Sequence, residues 1–200
     1  DWIDDWHDKS CGHMPPNIKN GVNTTYNWLF VYVLGLASKL ESYAGDSFIS
    51  ARWEKIAADL AERLKLRFWD NEKGLFKEDE FDYKKFYEHT QILSVLSGRL
   101  SEQQLTRLRK FFLQESKLLS CSIYYMHYRF EAYRILNLPE KIFSDLQLWN
   151  DFISKGFKTV PETSENKTFN QRSDCHGWGS HPIYHMITNI AGIRPAEMGF

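Results

Sequence analysis

The sequence predicts an all-α protein, a layered helical barrel in which about seven helices alternate between an inner and an outer ring. Three observations carry this. Apolar residues recur at spacings of three and four through segment after segment. The joints between segments are short and marked by Gly, Pro, Asn or Asp. Segments that are apolar or aromatic on most sides alternate with segments that keep one polar face, as expected when inner helices are wedged between core and lumen and outer helices face water.

Taken in order, residues 1–21 hold Trp2, Asp4, Asp5, Trp6, His7, Asp8 and His13 ahead of Pro15-Pro16 and Asn20-Gly21, a loop before the first helix. Its acids and imidazoles match no metal-ligand spacing; a hydrogen-bonding sugar site or a solvated acidic loop is the better reading. Asn23 or Thr24 caps a first helix to about Tyr43, with Trp28, Leu29, Tyr32, Leu36, Leu40 and Tyr43 at helical spacing and Gly45 as its stop. A second helix, about 47–69, puts Phe48, Trp53, Ile56, Leu60, Leu64 and Phe68 on one stripe and charge on the other. Residues 70–74 read as a turn, and Leu75-Phe76 with Phe81 as a short extended piece or hairpin before the third helix. The third helix, about 87–100, starts with Glu88-His89-Thr90-Gln91. The fourth begins at Ser101, where Ser101 and Gln104 make a capping box. The fifth, about 123–136, is rich in Tyr, including Tyr125. Pro139 starts a sixth at its first helical position, running to Gly156. A last helix spans about 180–191.

Inner helices of such a barrel run parallel, so the loops leading into them share one rim. These loops are 1–21, 77–86, 118–122 and 156–179, and the clusters of acid, His and Trp fall at or near them. The densest stretch is the last: Glu162 beside Pro161, then Ser173-Asp174-Cys175-His176-Gly177-Trp178-Gly179-Ser180-His181-Pro182. Ionisable groups and an indole concentrated on a loop are what a polar ligand site needs, because the scaffold supplies rigidity and loops supply chemistry.

Composition narrows the function classes. A formal net charge of -1 carries no nucleic-acid footprint and no polybasic membrane surface, and no run approaches the ~18 apolar residues of a membrane span. Aromatic content of 16%, with seven Trp and ten Tyr, fits a large core and also a carbohydrate binder, since sugar rings lay their C–H faces on indole and phenol. Cys11, Cys121 and Cys175 form no disulfide or metal framework; Cys175 is read as a small buried residue rather than a nucleophile, with no oxyanion motif beside it. No cofactor motif is present. A chain that opens on Asp1-Trp2-Ile3 is expected to be a portion of a longer one, with residues 1–200 forming a single helical unit.

Glycosidic hydrolysis needs two carboxyl groups, one donating a proton to the leaving oxygen and one acting on water or the anomeric carbon. Glu162 is the first candidate. Glu131, on the aromatic fifth helix, is a rival that Arg129 or Arg134 can neutralise into a structural role.

Trp2-Ile3-Asp4-Asp5-Trp6, Tyr87-Glu88-His89-Thr90-Gln91, Phe130-Glu131-Ala132-Tyr133, Pro161-Glu162-Thr163, Ser173-Asp174-Cys175-His176-Gly177-Trp178 and Gly192-Ile193-Arg194-Pro195-Ala196-Glu197-Met198-Gly199-Phe200 together resemble the bacterial α-L-rhamnosidases of glycoside hydrolase family 78. The resemblance implies part of an (α/α)6 six-hairpin toroid and an inverting glycosidase, with Glu162 as catalytic general base. It further implies a sugar pocket of Asp5, Trp6 and His176, which Trp2, His89, Tyr125 and Trp178 extend, and a periplasmic or secreted location. The expected partners are a rhamnose-containing glycan or glycoside and the N-terminal remainder of the catalytic domain, with no nucleic acid and no membrane span. The family's general acid lies upstream of every motif found here, and twelve helices make a full toroid. The chain is therefore expected to be the C-terminal portion of the catalytic domain and inactive alone. A non-catalytic carbohydrate-binding or structural domain, and a six-hairpin glycosidase of other specificity, are the competing expectations.

Overall fold

A computed structural model describes residues 23–78, 86–114, 118, 121–163 and 173–196. They fall into two compact units, divided between Ser120 and Cys121. The described residues are mostly helical, as the apolar spacing predicts.

In the first unit, Asn23 accepts a hydrogen bond from the Tyr26 N–H at 2.9 Å and starts α1 (Thr24–Ala44), which Gly45 ends with φ +92°. Asp46 accepts from the Ile49 N–H at 2.9 Å and starts α2 (Ser47–Phe68). A two-residue joint folds α2 back along α1. Ser38 and Ser50 pin the pair reciprocally, each hydroxyl donating to the other's carbonyl at 3.0 and 2.9 Å. Trp28, Val31 and Leu34 of α1 and Ala57, Ala61, Leu64 and Phe68 of α2 are buried. The alanines bring no bulk to that seam, so the backbones approach and larger neighbours fill the space.

Two sequence expectations shift here. The stripe read on the second helix starts at Phe48, but Phe48 is 78% exposed; α2 buries only its C-terminal half, around the small residues. On α1 the buried face is Trp28-Val31-Leu34-Ser38, while Tyr26, Phe30, Val33, Leu36, Leu40 and Tyr43 form an exposed apolar stripe on the other side. An apolar helix cannot report from its own sequence which side finds a partner.

The turn predicted at 70–74 is a hairpin of β1 (Trp69–Asp70) and β2 (Leu75–Phe76). Asp70 Oδ1 accepts from the Glu72 and Lys73 N–H groups at 3.0 and 2.9 Å, and Gly74 takes φ +69°. Trp28 and Trp69 meet Phe76 edge-on, with centroids 5.0 and 4.9 Å away. Full burial of Phe68 or Phe76 contributes roughly 1.5–3 kcal/mol each. Next, α3 (Glu88–Leu96) is buried from Glu88 to Val95, the environment expected of an inner helix. Its Gln91 acts as a third strand would: the side chain accepts from Phe76 N–H at 2.9 Å and donates to Phe76 C=O at 2.8 Å. The capping box of Ser101 and Gln104 opens α4 (Glu102–Leu113), which is amphipathic and buries Leu108 and Phe112.

In the second unit, Ser122 caps α5 (Ile123–Ile135), and α6 (Pro139–Asp145) starts at its proline. Arg129 reaches Asp145 at 2.7 Å and ties the two helices together. The single helix expected over 139–156 is bent at Leu146 into α6 and α7 (Gln147–Ser154). There the Leu146 carbonyl is shared by the Trp149 and Asn150 N–H groups at 3.0 and 3.4 Å. The last predicted helix is a composite: a 3-10 turn (Gly177–Ser180), α8 (Pro182–His185) and a π turn (Met186–Ile190). Trp149 Nε1 donates to the Gly179 carbonyl at 2.8 Å and holds that composite against α7. No described helix is long and apolar enough to cross a membrane.

Candidate functional site

The Glu162 loop is held by its own backbone. Glu162 N–H donates to the Ser173 carbonyl and His176 N–H to the Val160 carbonyl, both at 2.8 Å, so residues 160–162 and 173–176 run beside each other as a short ladder. Thr159 Oγ1 donates to the Asp174 carbonyl and closes the base of the ladder. Ser173 N–H donates back to Glu162 Oε2 at 3.0 Å, aiming the carboxylate. Among the described residues that is the one hydrogen bond the carboxylate receives.

Aromatic rings gather on the same loop and against its Glu162 backbone. Trp178 Nε1 donates to the Glu162 carbonyl at 3.4 Å, and its indole lies 4.0 Å from the His176 ring and 5.4 Å from Tyr124. Tyr124 in turn meets Tyr125 and Tyr128 at 6.3 and 5.9 Å, so the first turns of α5 continue the surface that Trp178 begins. Gly179 permits the tight seat of this loop: a Cβ there would collide with the Val160 side chain and come within 3.2 Å of Ile123. Trp178 is 40% exposed and Glu162 half-buried, so a solvent-borne ligand can reach both. An oriented carboxylate on a loop that also carries an imidazole and an open indole can accept a proton from water or a hydroxyl while an apolar ring face lies on the indole.

Of the residues singled out from the sequence, Glu162, His176 and Trp178 come together, and Tyr125 joins them through the tyrosine cluster. His89 sits in the first unit on α3 and is 1% exposed. Trp2, Asp5 and Trp6 lie outside the described residues. Cys175, expected to be buried, is exposed on this loop, where its N–H donates to Ser173 Oγ at 3.3 Å and no described helix face covers it. Glu131 takes the structural role: Arg134 pairs with it at 3.4 Å as expected, Arg194 adds a tighter grip at 2.6 and 2.9 Å, and Arg129 is instead occupied by Asp145.

Two features escaped sequence reasoning. Glu78, in the first unit, is 1% exposed, and burial pushes its carboxyl up to about 7 against the lowering pull of its hydrogen bonds. Thr90 and Thr25 hydroxyls lie 2.6 and 2.9 Å from Oε2 and 2.5 Å from each other, while Tyr87 N–H donates to Oε1 at 3.0 Å. Both threonine hydroxyls donate to Oε2, and these bonds oppose the burial that raises the carboxyl. Only its place in the loop after the hairpin could have flagged it. The second feature is a group of three imidazoles in the second unit, His127, His181 and His185. Its signal in the sequence is the pair His181 and His185, four apart and so on one helical face.

The chain matches no protein-family profile and no curated protein. Solved structures do match. A rhamnosidase from Klebsiella oxytoca with rhamnose bound superposes with a TM-score of 0.73 at 16% identity, over 85% of this chain and 34% of that one. A GH78 family rhamnosidase of Bacillus sp. GL1 gives 0.76 at 19% identity, over 92% of this chain and 22% of that one. The chain thus spans about a third and about a fifth of those two proteins, and its helical fold is that of a part of the GH78 rhamnosidase structures.

Proposed function

We propose that this chain is a C-terminal portion of the catalytic domain of an inverting α-L-rhamnosidase, with Glu162 as general base. The observation that carries the reading is the Glu162–His176–Trp178 loop, an oriented and accessible carboxylate on the segment that also carries a stacked imidazole and an open indole. Glu162 takes a proton from the water that attacks the anomeric carbon, while a carboxylic acid from the rest of the parent protein protonates the leaving oxygen. Inversion sets the two carboxyls about 6.5–9.5 Å apart, leaving room for that water. His176 hydrogen-bonds a ring hydroxyl or Glu162 itself, and Trp178, extended by Tyr125 and its neighbours, receives the apolar face and methyl group of the sugar. The exposed stripe on α1 supports the partial-domain reading, since an apolar stripe of that length is covered in a finished helical barrel.

The test is kinetic and uses the longer parent enzyme. Glu162→Gln lowers kcat on a rhamnoside by three or more orders of magnitude, with KM little changed; near-normal turnover overturns the assignment. Titrating the 200-residue chain with L-rhamnose while following Trp fluorescence separates a competing reading. Tight binding by the chain alone, with unaffected turnover in the Glu162→Gln parent, marks a carbohydrate-binding module instead.

A further inference from the structure

We propose that His127, His181 and His185 form a three-imidazole site for a borderline transition-metal ion, Zn2+ in the first instance, that clasps α5 to the C-terminal helical segment. The proposal stands independently of the rhamnosidase reading. One ring nitrogen from each residue lies within 4.8 Å of the other two, so a small contraction reaches the roughly 3.4 Å spacing that tetrahedral Zn–N bonds of about 2.1 Å impose.

Hydrogen bonds fix which nitrogens are available. His181 Nε2 faces the Ile123 carbonyl at 3.0 Å, so it carries the proton and leaves Nδ1 as a lone pair; that Nδ1 is buried with no hydrogen-bond partner among the described residues. A buried orphan acceptor costs about 1–3 kcal/mol, and a metal ion would satisfy it. Arg194, which can only donate, bonds Asn189 Oδ1, so the Asn189 amide nitrogen is the atom 2.7 Å from His185 Nδ1. His185 Nε2 then carries the proton and donates to His127 Nδ1 at 3.1 Å. The metal-free site therefore holds itself together with one His–His hydrogen bond and one orphan.

Metal entry replaces both. His127 Nδ1, His181 Nδ1 and His185 Nε2 become ligands, and the His185 proton moves to Nδ1. Glu131 Oε1 stands 3.7 Å from that Nδ1, already anchored by Arg194, and accepts the proton's hydrogen bond once Asn189 rotates away. A carboxylate behind a ligating histidine sets the ring's tautomer and raises its basicity. Phe130 packs edge-on against His181 and His185, with centroids 5.6 and 5.0 Å away, and Trp149 closes the other side of His181 at 5.2 Å. These rings dry the site, while half-buried His127 leaves a route in and an open fourth position. Soft thiolates are absent from the described group, and three nitrogens suit Zn2+ over Mg2+ or Ca2+.

The test uses the 200-residue chain stripped of metal with a chelator, titrated with Zn2+ by calorimetry and with Co2+ by visible absorption. One equivalent binds, Co2+ gives the intense bands of a four-coordinate site, and the urea midpoint rises with metal. His181→Gln keeps an amide donor for the Ile123 carbonyl but loses the Nδ1 ligand; His127→Asn keeps an acceptor for the His185 N–H but loses a metal-binding nitrogen. Each weakens Zn2+ binding at least about 100-fold, whereas Cys175→Ser on the exposed loop changes nothing. Should His181→Gln lose its far-UV circular dichroism, His127→Asn decides. Absence of stoichiometric binding, retention of binding in His127→Asn, or its loss in Cys175→Ser overturns the proposal.

Discussion

Glu78 and Glu162 are both loop carboxyls, one in each unit, and their surroundings have opposite consequences. Glu78 is 1% exposed, ringed by Thr25, Thr90 and the Tyr87 N–H, and among the described residues no cation pairs with it. Burial without a counter-charge disfavours the ionised form and raises the carboxyl to about 7, and the group ties its loop to α1 and α3 through the Thr25 and Thr90 hydroxyls. Glu162 is half-buried, receives one backbone N–H, and shares its loop with an imidazole and an open indole. On the proposed reading, access and orientation rather than a perturbed carboxyl mark the reacting group.

That contrast breaks if the two residues can exchange consequences. On the same proposed reading, Glu162→Gln in the longer parent protein costs about 10³-fold or more in kcat, while the stability of the chain in urea changes by no more than ~0.5 kcal/mol, because the side chain is not part of a core. Glu78→Gln gives the opposite pattern in stability. With its folded pKa raised from 4.5 to about 7, the native state holds more protons than the unfolded state between those values. Its contribution is full below pH 4.5 and is lost as pH rises through about 7, a loss of about 3 kcal/mol at about 1.4 kcal/mol per pH unit. Urea titrations from pH 4.5 to 8.5 should show that slope in the wild type and a flatter one in Glu78→Gln; parallel curves would mean Glu78 ionises freely.

Smaller effects refine the picture. Gly179→Ala overpacks against Val160 and Ile123, costs about 1–3 kcal/mol, and shifts the Trp178 emission as the Glu162 loop lifts. A Gly179→Ala chain with unchanged melting and emission would show that the loop is not seated as described. Glu54 supplies the weak end of the scale: Arg99 grips it with two bonds of 2.5 and 2.6 Å, yet its side chain is 50% exposed. The hydrogen bond from Arg99 lowers its pKa, so its stabilisation is present at neutral pH and fades as pH falls through the carboxylate range. A double-mutant cycle on this pair should return less than about 1 kcal/mol, shrinking further in high salt.

Much of the fold was legible because its signals are local. Asn23, Asp46, Ser101 and Pro139 announce helix starts, Gly45 a helix stop, and Asp70 to Gly74 a tight turn, through interactions within four residues of each other. The link between Glu162 and Trp178 was legible for a similar reason, as both sit in one dense stretch. The bend at Leu146 was not, since nothing in an apolar helix marks a shared carbonyl. Nor was the triangle of Glu78 with Thr25 and Thr90, whose members are 53 and 12 residues apart.

By itself the sequence determined the helical class, the caps, the hairpin and the loop that carries Glu162, because backbone hydrogen bonding and turn geometry are settled between near neighbours. Only the tertiary structure decided which face of α1 is buried, which carboxyl is desolvated and raised in pKa, and that His127 meets two imidazoles more than fifty residues downstream. Those outcomes depend on what a side chain is packed against. Desolvation and contact between distant segments have no counterpart in the local sequence pattern.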